Sequence, residues 1–433
     1  MSERTEQSKL IDSPALAGRW TVCAMLFVAT TINYVDRQVL SILKPVLSGA
    51  ALHLDPLLPG WPTVETSIRL TDAEYGKVLA AFQIAYALGV VFAGRLVDRL
   101  GCRKGYPIVT GLWSLAAMGH ALVTSISGLS VARFLLGLGE SGNFPAAVKA
   151  TAEWFPPKER ALATGIFNSG ASVGAIMAPL AVPWVALHFG WRASFLLTGL
   201  FSALWIVWWS LRYRTPQTDL SNCPSSATTL AWWKLLRYRQ AWGFMVGKLL
   251  TDPVWWFFLF WLPQYFSSRF SLDLSHLGLP LVAVYSMSTV GSIYGGWLPK
   301  GYMRLGLELK SARLAAMLTC AFLVLPIVVA GGLHSVWLAV GLLSLAAAAH
   351  QGWSANIFTT ASDMFPSEHV GTVVSFGQVA GALGGAIFQP IAGNILQLTH
   401  SFVPLFAFSG CAYLVALVLL RVLAPGLKPA AVE

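Results

Sequence analysis

Glu153-Trp154-Phe155-Pro156 recurs as Asp363-Met364-Phe365-Pro366, an interval of 210 residues in a chain of 433. In both places an acid, two bulky apolar residues and a proline close one apolar stretch and open the next. Gly174 and Gly384 stand at the same interval of 210. A weaker echo sets Gly94-Arg95-Leu96-Val97-Asp98 against Gly296-Trp297-Leu298-Pro299-Lys300. A repeat at about half the chain length says that the fold is built twice. Outward from it, apolar stretches cover roughly 20–47, 75–97, 107–125, 128–152, 161–187 and 194–211. After a polar, serine-rich segment, six more cover roughly 242–267, 277–299, 313–331, 336–361, 371–399 and 403–421.

A membrane helix needs about 20 apolar residues, and each stretch supplies that many or nearly so. Composition agrees: 56% of residues are hydrophobic, 11% are charged, and mean hydropathy is +0.64. A soluble domain carries about 25% charged residues. Disorder, coiled coil and an ordinary cytosolic enzyme are therefore excluded, and the runs are too long and too continuously apolar for barrel strands. The sequence predicts an all-α membrane protein with twelve transmembrane helices in two six-helix pseudo-symmetric halves. Residues 1–211 form the first bundle, 212–241 a cytoplasmic linker and 242–433 the second. Two matched bundles place a transport site between them, near the midplane.

Of the 29 lysines and arginines, the outer loops hold only Arg69, Arg192 and Arg269 when both termini are inside. Basic residues concentrate in cytoplasmic loops, so both termini are expected in the cytoplasm. The net charge of +10 then faces anionic lipid, and nucleic acid is not a partner. Cys23, Cys102, Cys223, Cys320 and Cys411 are scattered without a CxxC, so neither a metal nor a disulfide framework is expected. No HExxH, Walker loop or GxSxG occurs, which argues against an enzyme. Residues 1–19 are polar and no small-residue cleavage site follows, so no cleaved leader is expected. The long outer stretch from Ser48 to Leu70 receives no functional account.

The loop Gly94-Arg95-Leu96-Val97-Asp98-Arg99-Leu100-Gly101-Cys102-Arg103-Lys104 resembles the signature of the major facilitator superfamily between spans 2 and 3. Arg133-xxx-Gly137-xx-Glu140 resembles a second one in span 4. Asn33-Tyr34-Val35-Asp36-Arg37 is similar to the anion:cation symporter branch. Two longer strings, Thr251-Asp252-Pro253 through Trp261-Leu262-Pro263 and Ala349-His350-Gln351 through Asp363-Met364-Phe365-Pro366, resemble the bacterial hexuronate transporters. The resemblance covers nearly the whole chain. It implies a major facilitator fold in a bacterial inner membrane and proton-coupled uptake of glucuronate or galacturonate by a monomer without cofactor. Another organic anion, an aldonate or aldarate, is the alternative; a proton–drug antiporter and a non-transporting sugar-acid sensor follow behind. Span 5 reads Gly170-Ala171-Ser172-Val173-Gly174, without the proline of the antiporter motif, and Ala171 replaces the glutamine of some aldonate carriers.

Charges inside spans are costly, about 2.5–3.5 kcal/mol each on insertion scales. This chain carries Asp36, Arg37, Arg133, Glu140, Lys248 and Asp252 there. Lys248 and Asp252 are spaced i,i+4 and can pair on one helix. Arg133 and Glu140, seven apart, share a helix face, while Asp36 and Arg37 point about 100° apart and need partners elsewhere. Lys44 and Lys77, near span ends, are expected to snorkel. Arg37 offers a planar fork to a carboxylate, and Lys248 a second cation from the other half. Asp36 or Glu140 can hold a proton, so a neutral cavity that admits one anion regains neutrality with at least one proton; sodium is not excluded. The resemblance assigns proton coupling to Asp36 and Glu140 and substrate contact to Arg37, with Arg133 as the expected partner of Asp36. It also places Tyr34 and Tyr86 in the site, and an inner latch at Asp98 with Arg99, Arg103 and Lys104. Asn168, Gln351, Asn356 and Gln378 can bond sugar hydroxyls or join helices; Trp255, with Trp256 and Trp261, can stack on a sugar or pack. His350 reads as a packing residue or a titrating one.

Overall fold

The computed structural model describes residues 18–49, 68–215 and 232–430, apart from the side chains of Asp98, Pro157, Lys158, Ala161, Trp232, Ser367 and Glu368. The expected latch residue Asp98, most of the linker and most of the outer stretch from Ser48 to Leu70 thus lie outside the described residues. Twelve α-helices occur among the described residues. In the first half they are α1 (Arg19–Leu47), α2 (Asp72–Gly119), α3 (Ile126–Glu140), α4 (Asn143–Trp154), α5 (Pro157–Phe189) and α6 (Trp191–Arg212). In the second they are α7 (Arg239–Phe270), α8 (Gly278–Arg304), α9 (Leu309–Val324), α10 (Val336–Met364), α11 (Ser367–Thr399) and α12 (Val403–Leu423).

Two of these departures from one helix per span have local causes. Thr71 and Glu74 start α2 with a reciprocal capping box, Glu74 N donating to Thr71 Oγ1 at 3.3 Å and Thr71 N to Glu74 Oε2 at 3.0 Å. The helix then reverses at Gly101, whose φ of 72° and ψ of 161° belong to a region that only glycine enters without strain. Gly105 packs directly on Val97 beyond the turn, so α2 is a hairpin that contains spans 2 and 3. Span 4, conversely, is broken at Ser141-Gly142 into α3 and α4; Pro145, in the first turn of α4, removes an N–H that has no helical partner there. The passes therefore number twelve, six in each half, as the sequence predicts.

Seven helical segments are apolar enough to cross a membrane on length and hydropathy alone. The helices that fall short include α1, α3 and α7, which carry Asp36, Arg37, Arg133, Glu140, Lys248 and Asp252. Polarity there belongs to the site and not to the lipid-facing surface.

The 210-residue repeat has a packing counterpart. A Cβ on Gly174 would overlap the Thr31 carbonyl of α1, and a Cβ on Gly384 the Leu249 carbonyl of α7. Each half thus seats its fifth span on its first at the repeated glycine, helped by Gly170 in α5 and by Gly377 and Gly381 in α11. Across the halves, α1 meets α7, the first arm of α2 meets α11, and α5 meets α8. Among the described residues, three hydrogen bonds cross between the halves: Tyr75 Oη to the Phe260 carbonyl (2.8 Å), Gln264 Nε2 to Asp72 Oδ1 (2.6 Å) and Ala73 N to Gln397 Oε1 (3.1 Å). All three lie at the end that the basic residues mark as outer. The bundles are therefore fastened on their outer side. Lys44 does not snorkel as expected. It is buried and paired with Asp72, because α2 starts beside it and supplies a carboxylate closer than water. Lys77 is exposed.

Candidate functional site

Arg37 is the centre of the seam. Its Nε donates to Glu140 Oε2 at 2.5 Å, and the two side chains are 4% and 0% exposed. Four aromatic rings frame the guanidinium, with centroids at 4.9 Å for Tyr86, 5.0 Å for Tyr34, 5.4 Å for Trp256 and 5.7 Å for Phe82. Trp256 belongs to α7, so the other half contributes one wall. Rings around a cation supply favourable electrostatics and exclude water. A carboxylate reaching this point meets a planar donor in a low-dielectric setting, where charge-assisted hydrogen bonds are strongest.

The expectation that Arg133 pairs with Asp36 is not met. The two terminal nitrogens of Arg133, Nη1 and Nη2, donate to the Arg37 carbonyl at 3.4 Å, and the buried Asp36 carboxylate makes no ion pair and has only the hydroxyls of Thr198 and Ser202 on α6 beside it. Asp36 and Arg37 leave α1 about 100° apart. Arg133 is drawn to the backbone on the Arg37 side, which leaves Asp36 without an ion pair. The pairing of Arg37 with Glu140 was not among the expectations; the shared face of Arg133 and Glu140 brings the acid, but not Arg133, to that guanidinium.

In the second half, Lys248 Nζ bonds Asp252 Oδ2 at 2.9 Å, as the i,i+4 spacing predicts, and lies 4.2 Å from the Phe358 ring centroid. Gln351 is seven residues from Phe358 on α10 and so on the same face; it is half-buried. Asn168 is exposed and Gln378 half-buried. Gln378 is seven residues from Gly385, which abuts Gln83 and Trp256; its face is therefore the seam. The structure leaves these three amides available.

Asn356 is not available. Its Nδ2 donates to the carbonyls of Gly295 (2.7 Å) and Gly352 (2.8 Å), so it ties α10 to α8 where glycines bring those helices together. Trp255 is engaged within its own half: its ring stacks on His350, centroids 5.2 Å apart and planes at 4°. His350 Nδ1 bonds Tyr413 Oη at 2.6 Å, which makes it a packing residue. Trp256, one position on and about 100° around the helix, faces Arg37 instead. No signal in the sequence chooses between adjacent tryptophans, since the choice depends on where α1 lies. Arg99, Arg103 and Lys104 are exposed on either side of the Gly101 turn, and no hydrogen bond or ion pair of theirs crosses to the other half among the described residues.

A family model described as the Major Facilitator Superfamily matches residues 26–389. The hexuronate transporter of Escherichia coli (strain K12) is 28% identical over 406 residues, 90% of each chain. The galacturonate transporter of Dickeya chrysanthemi is 29% identical over 297 residues, 65% of this chain and 81% of that one. Among solved structures, a D-xylose-proton symporter superposes with a TM-score of 0.74 at 13% identity, covering 96% of this chain and 100% of the other. A bacterial homologue of the human lysosomal transporter Spinster, inward-facing and occupied, gives a TM-score of 0.71 at 16% identity, covering 94% and 96%. At such identities these two likenesses speak for the fold.

Proposed function

The chain belongs to the Major Facilitator Superfamily, and we propose that it is a proton-coupled symporter that imports a sugar acid, most simply a hexuronate such as glucuronate or galacturonate. As a member of that family it is a multi-pass membrane transporter and not an enzyme. The observation that carries the proposal is the buried Arg37–Glu140 pair, walled by Tyr34, Phe82 and Tyr86 from one half and Trp256 from the other. The names of the two relatives support a hexuronate as the anion.

The substrate carboxylate and Glu140 compete for one guanidinium. A proton on Glu140 removes the competitor, so anion and proton enter together. Asp36, buried without an ion pair and met only by the Thr198 and Ser202 hydroxyls, is a second acid whose burial cost falls when it takes a proton. One proton per anion preserves neutrality, and Asp36 provides for another. Lys248 offers a second cation and is balanced by Asp252 while the site is empty. Gln351, Asn168 and Gln378 are the amides that remain for sugar hydroxyls. Rocking of the halves about this point gives alternating access, with both termini in the cytoplasm and the protein in the bacterial inner membrane.

The test uses purified protein in liposomes with a proton gradient directed inward. Labelled galacturonate or glucuronate accumulates, and an uncoupler reduces uptake to equilibration. Uptake that ignores the uncoupler refutes proton coupling. A panel in which aldonates or aldarates accumulate and hexuronates do not refutes the choice of anion.

A further inference from the structure

Lys44 stands seven residues beyond Arg37 on α1, hence on the same face and about 10 Å further out. The two cations are held alike. Arg37 is paired with Glu140 and covered from α7 by Trp256. Lys44 is paired with Asp72 and covered from α7 by Gln264, whose Nε2 donates to Asp72 Oδ1 at 2.6 Å. Outside this second pair lies a cavity of about 280 Å³, lined among others by Lys44, Ser48, Arg69, Asp72, Gln397 and His400. Lys44, paired with Asp72, thus shares one cavity lining with Arg69 and His400, on a surface whose loops otherwise hold only Arg192 and Arg269 among lysines and arginines. Lys44 is buried at the floor, while Arg69 and His400 are exposed at the rim.

We propose that this cavity is an outer binding station for the carboxylate of the transported sugar acid, distinct from the site at Arg37. Arg69 draws the anion in, and Lys44 binds its carboxylate in place of Asp72 once α7 withdraws Gln264; the Ser48 hydroxyl, which donates to the Leu70 carbonyl, can still accept from a sugar hydroxyl, and the Gln397 amide nitrogen, whose oxygen holds Ala73 N, can still donate to one. The anion then moves two turns inward along α1 to Arg37. The ligand class follows from the lining: a buried ammonium calls for a compact anion, and the hydroxyl and amide beside it call for a polar body. The inference rests on the reading of the chain as a sugar-acid importer.

The test compares influx in right-side-out vesicles with efflux from the same vesicles, using galacturonate. Arg69→Ala raises the influx KM about threefold to tenfold at low ionic strength, with the difference shrinking in high salt, because rim charges act through steering. The double variant Lys44→Gln, Asp72→Asn removes both charges together and raises the influx KM tenfold or more. In both, the efflux KM, set on the inner side, stays within about twofold. Equal shifts on the two sides, or no shift on the outer side, overturn the inference. If the double variant does not fold, the exposed Arg69→Ala decides alone. A wild-type chain that moves no sugar acid in either direction overturns the importer reading and this station with it, a failure visible before any variant is made.

Discussion

Glu140→Gln separates the two roles of the buried pair. The pair is 2.5 Å long and its side chains are 4% and 0% exposed, so solvent screening offers little relief. Breaking a buried pair by removing one charge costs about 3–5 kcal/mol. A glutamine carbonyl still accepts from Arg37 Nε and recovers about 1 kcal/mol, which leaves a net loss of about 2–4 kcal/mol. That loss is expected in the ligand-free protein alone, because a bound carboxylate restores the missing charge. The variant should therefore unfold at lower temperature when empty and regain most of the difference with saturating galacturonate. Its pH dependence should also change. On the proposed mechanism, each anion bound to the wild type brings a proton onto Glu140, so binding should tighten as pH falls and weaken as it rises. The limit is tenfold per pH unit, or about 1.4 kcal/mol, wherever Glu140 is ionised when free and protonated when bound. In Glu140→Gln the slope should vanish. Trp256, with its ring 5.4 Å from the Arg37 guanidinium carbon, is a fluorescent reporter for the titration. A variant that keeps the wild-type slope would place the coupled proton elsewhere, on Asp36 first of all. A variant that loses affinity at every pH would refute the competition between Glu140 and the substrate.

Trp256→Ala should weaken galacturonate binding about tenfold, through loss of a desolvated cation–π contact worth about 1–2 kcal/mol, while Trp255→Ala changes it less than about threefold; equal effects in a calorimetric titration would contradict the assignment of Trp256, and not Trp255, to the Arg37 guanidinium. Asn356→Ala should cost about 0.6–1.7 kcal/mol of stability through its lost bonds across α8 and α10 and leave the dissociation constant unchanged. A selective loss of sugar affinity would return Asn356 to the site. Gly384→Val should sharply reduce folded yield, measured by size-exclusion chromatography, because the Leu249 carbonyl fills the space a Cβ needs. Gly371→Ala, where nothing lies within 4 Å, should keep or slightly raise folded yield, since alanine favours the helix over glycine; a loss like that of Gly384→Val would show that close approach is not what sets the effect at these glycines.

The sequence carries the architecture plainly because hydropathy and basic-residue bias act over whole segments. The paired Glu153 and Asp363 motifs and the 210-residue spacing of Gly174 and Gly384 report the duplication before any contact is known. Local geometry is also legible: Lys248 and Asp252 pair as their spacing requires. Contacts between helices are less so. That Glu140 and not Arg133 reaches the Arg37 side chain depends on the rotation of α3 against α1, and a single helical face cannot reveal it. Lys44 looked like a span-end lysine because its acid, Asp72, belongs to the start of another helix. Asn356 and His350 had the polarity of site residues and proved to be fastenings, because Gly295, Gly352 and Tyr413 meet them inside one half. Of Trp255 and Trp256, both of which can stack on a sugar, the one that meets Arg37 is fixed only by where α1 lies against α7.

The turn at Gly101 has a mechanical consequence. A single residue in a glycine-only conformation joins spans 2 and 3 with no slack between them, and Val97 and Gly105 are clamped together just above it. Force applied at the far tip of this hairpin, where Asp72 and Tyr75 grip the opposite bundle, is carried as by a rigid lever to the inner face of the membrane. Whatever bending the first half undergoes must be found elsewhere, and Ser141-Gly142, the interruption directly after Glu140, is the joint the chain provides.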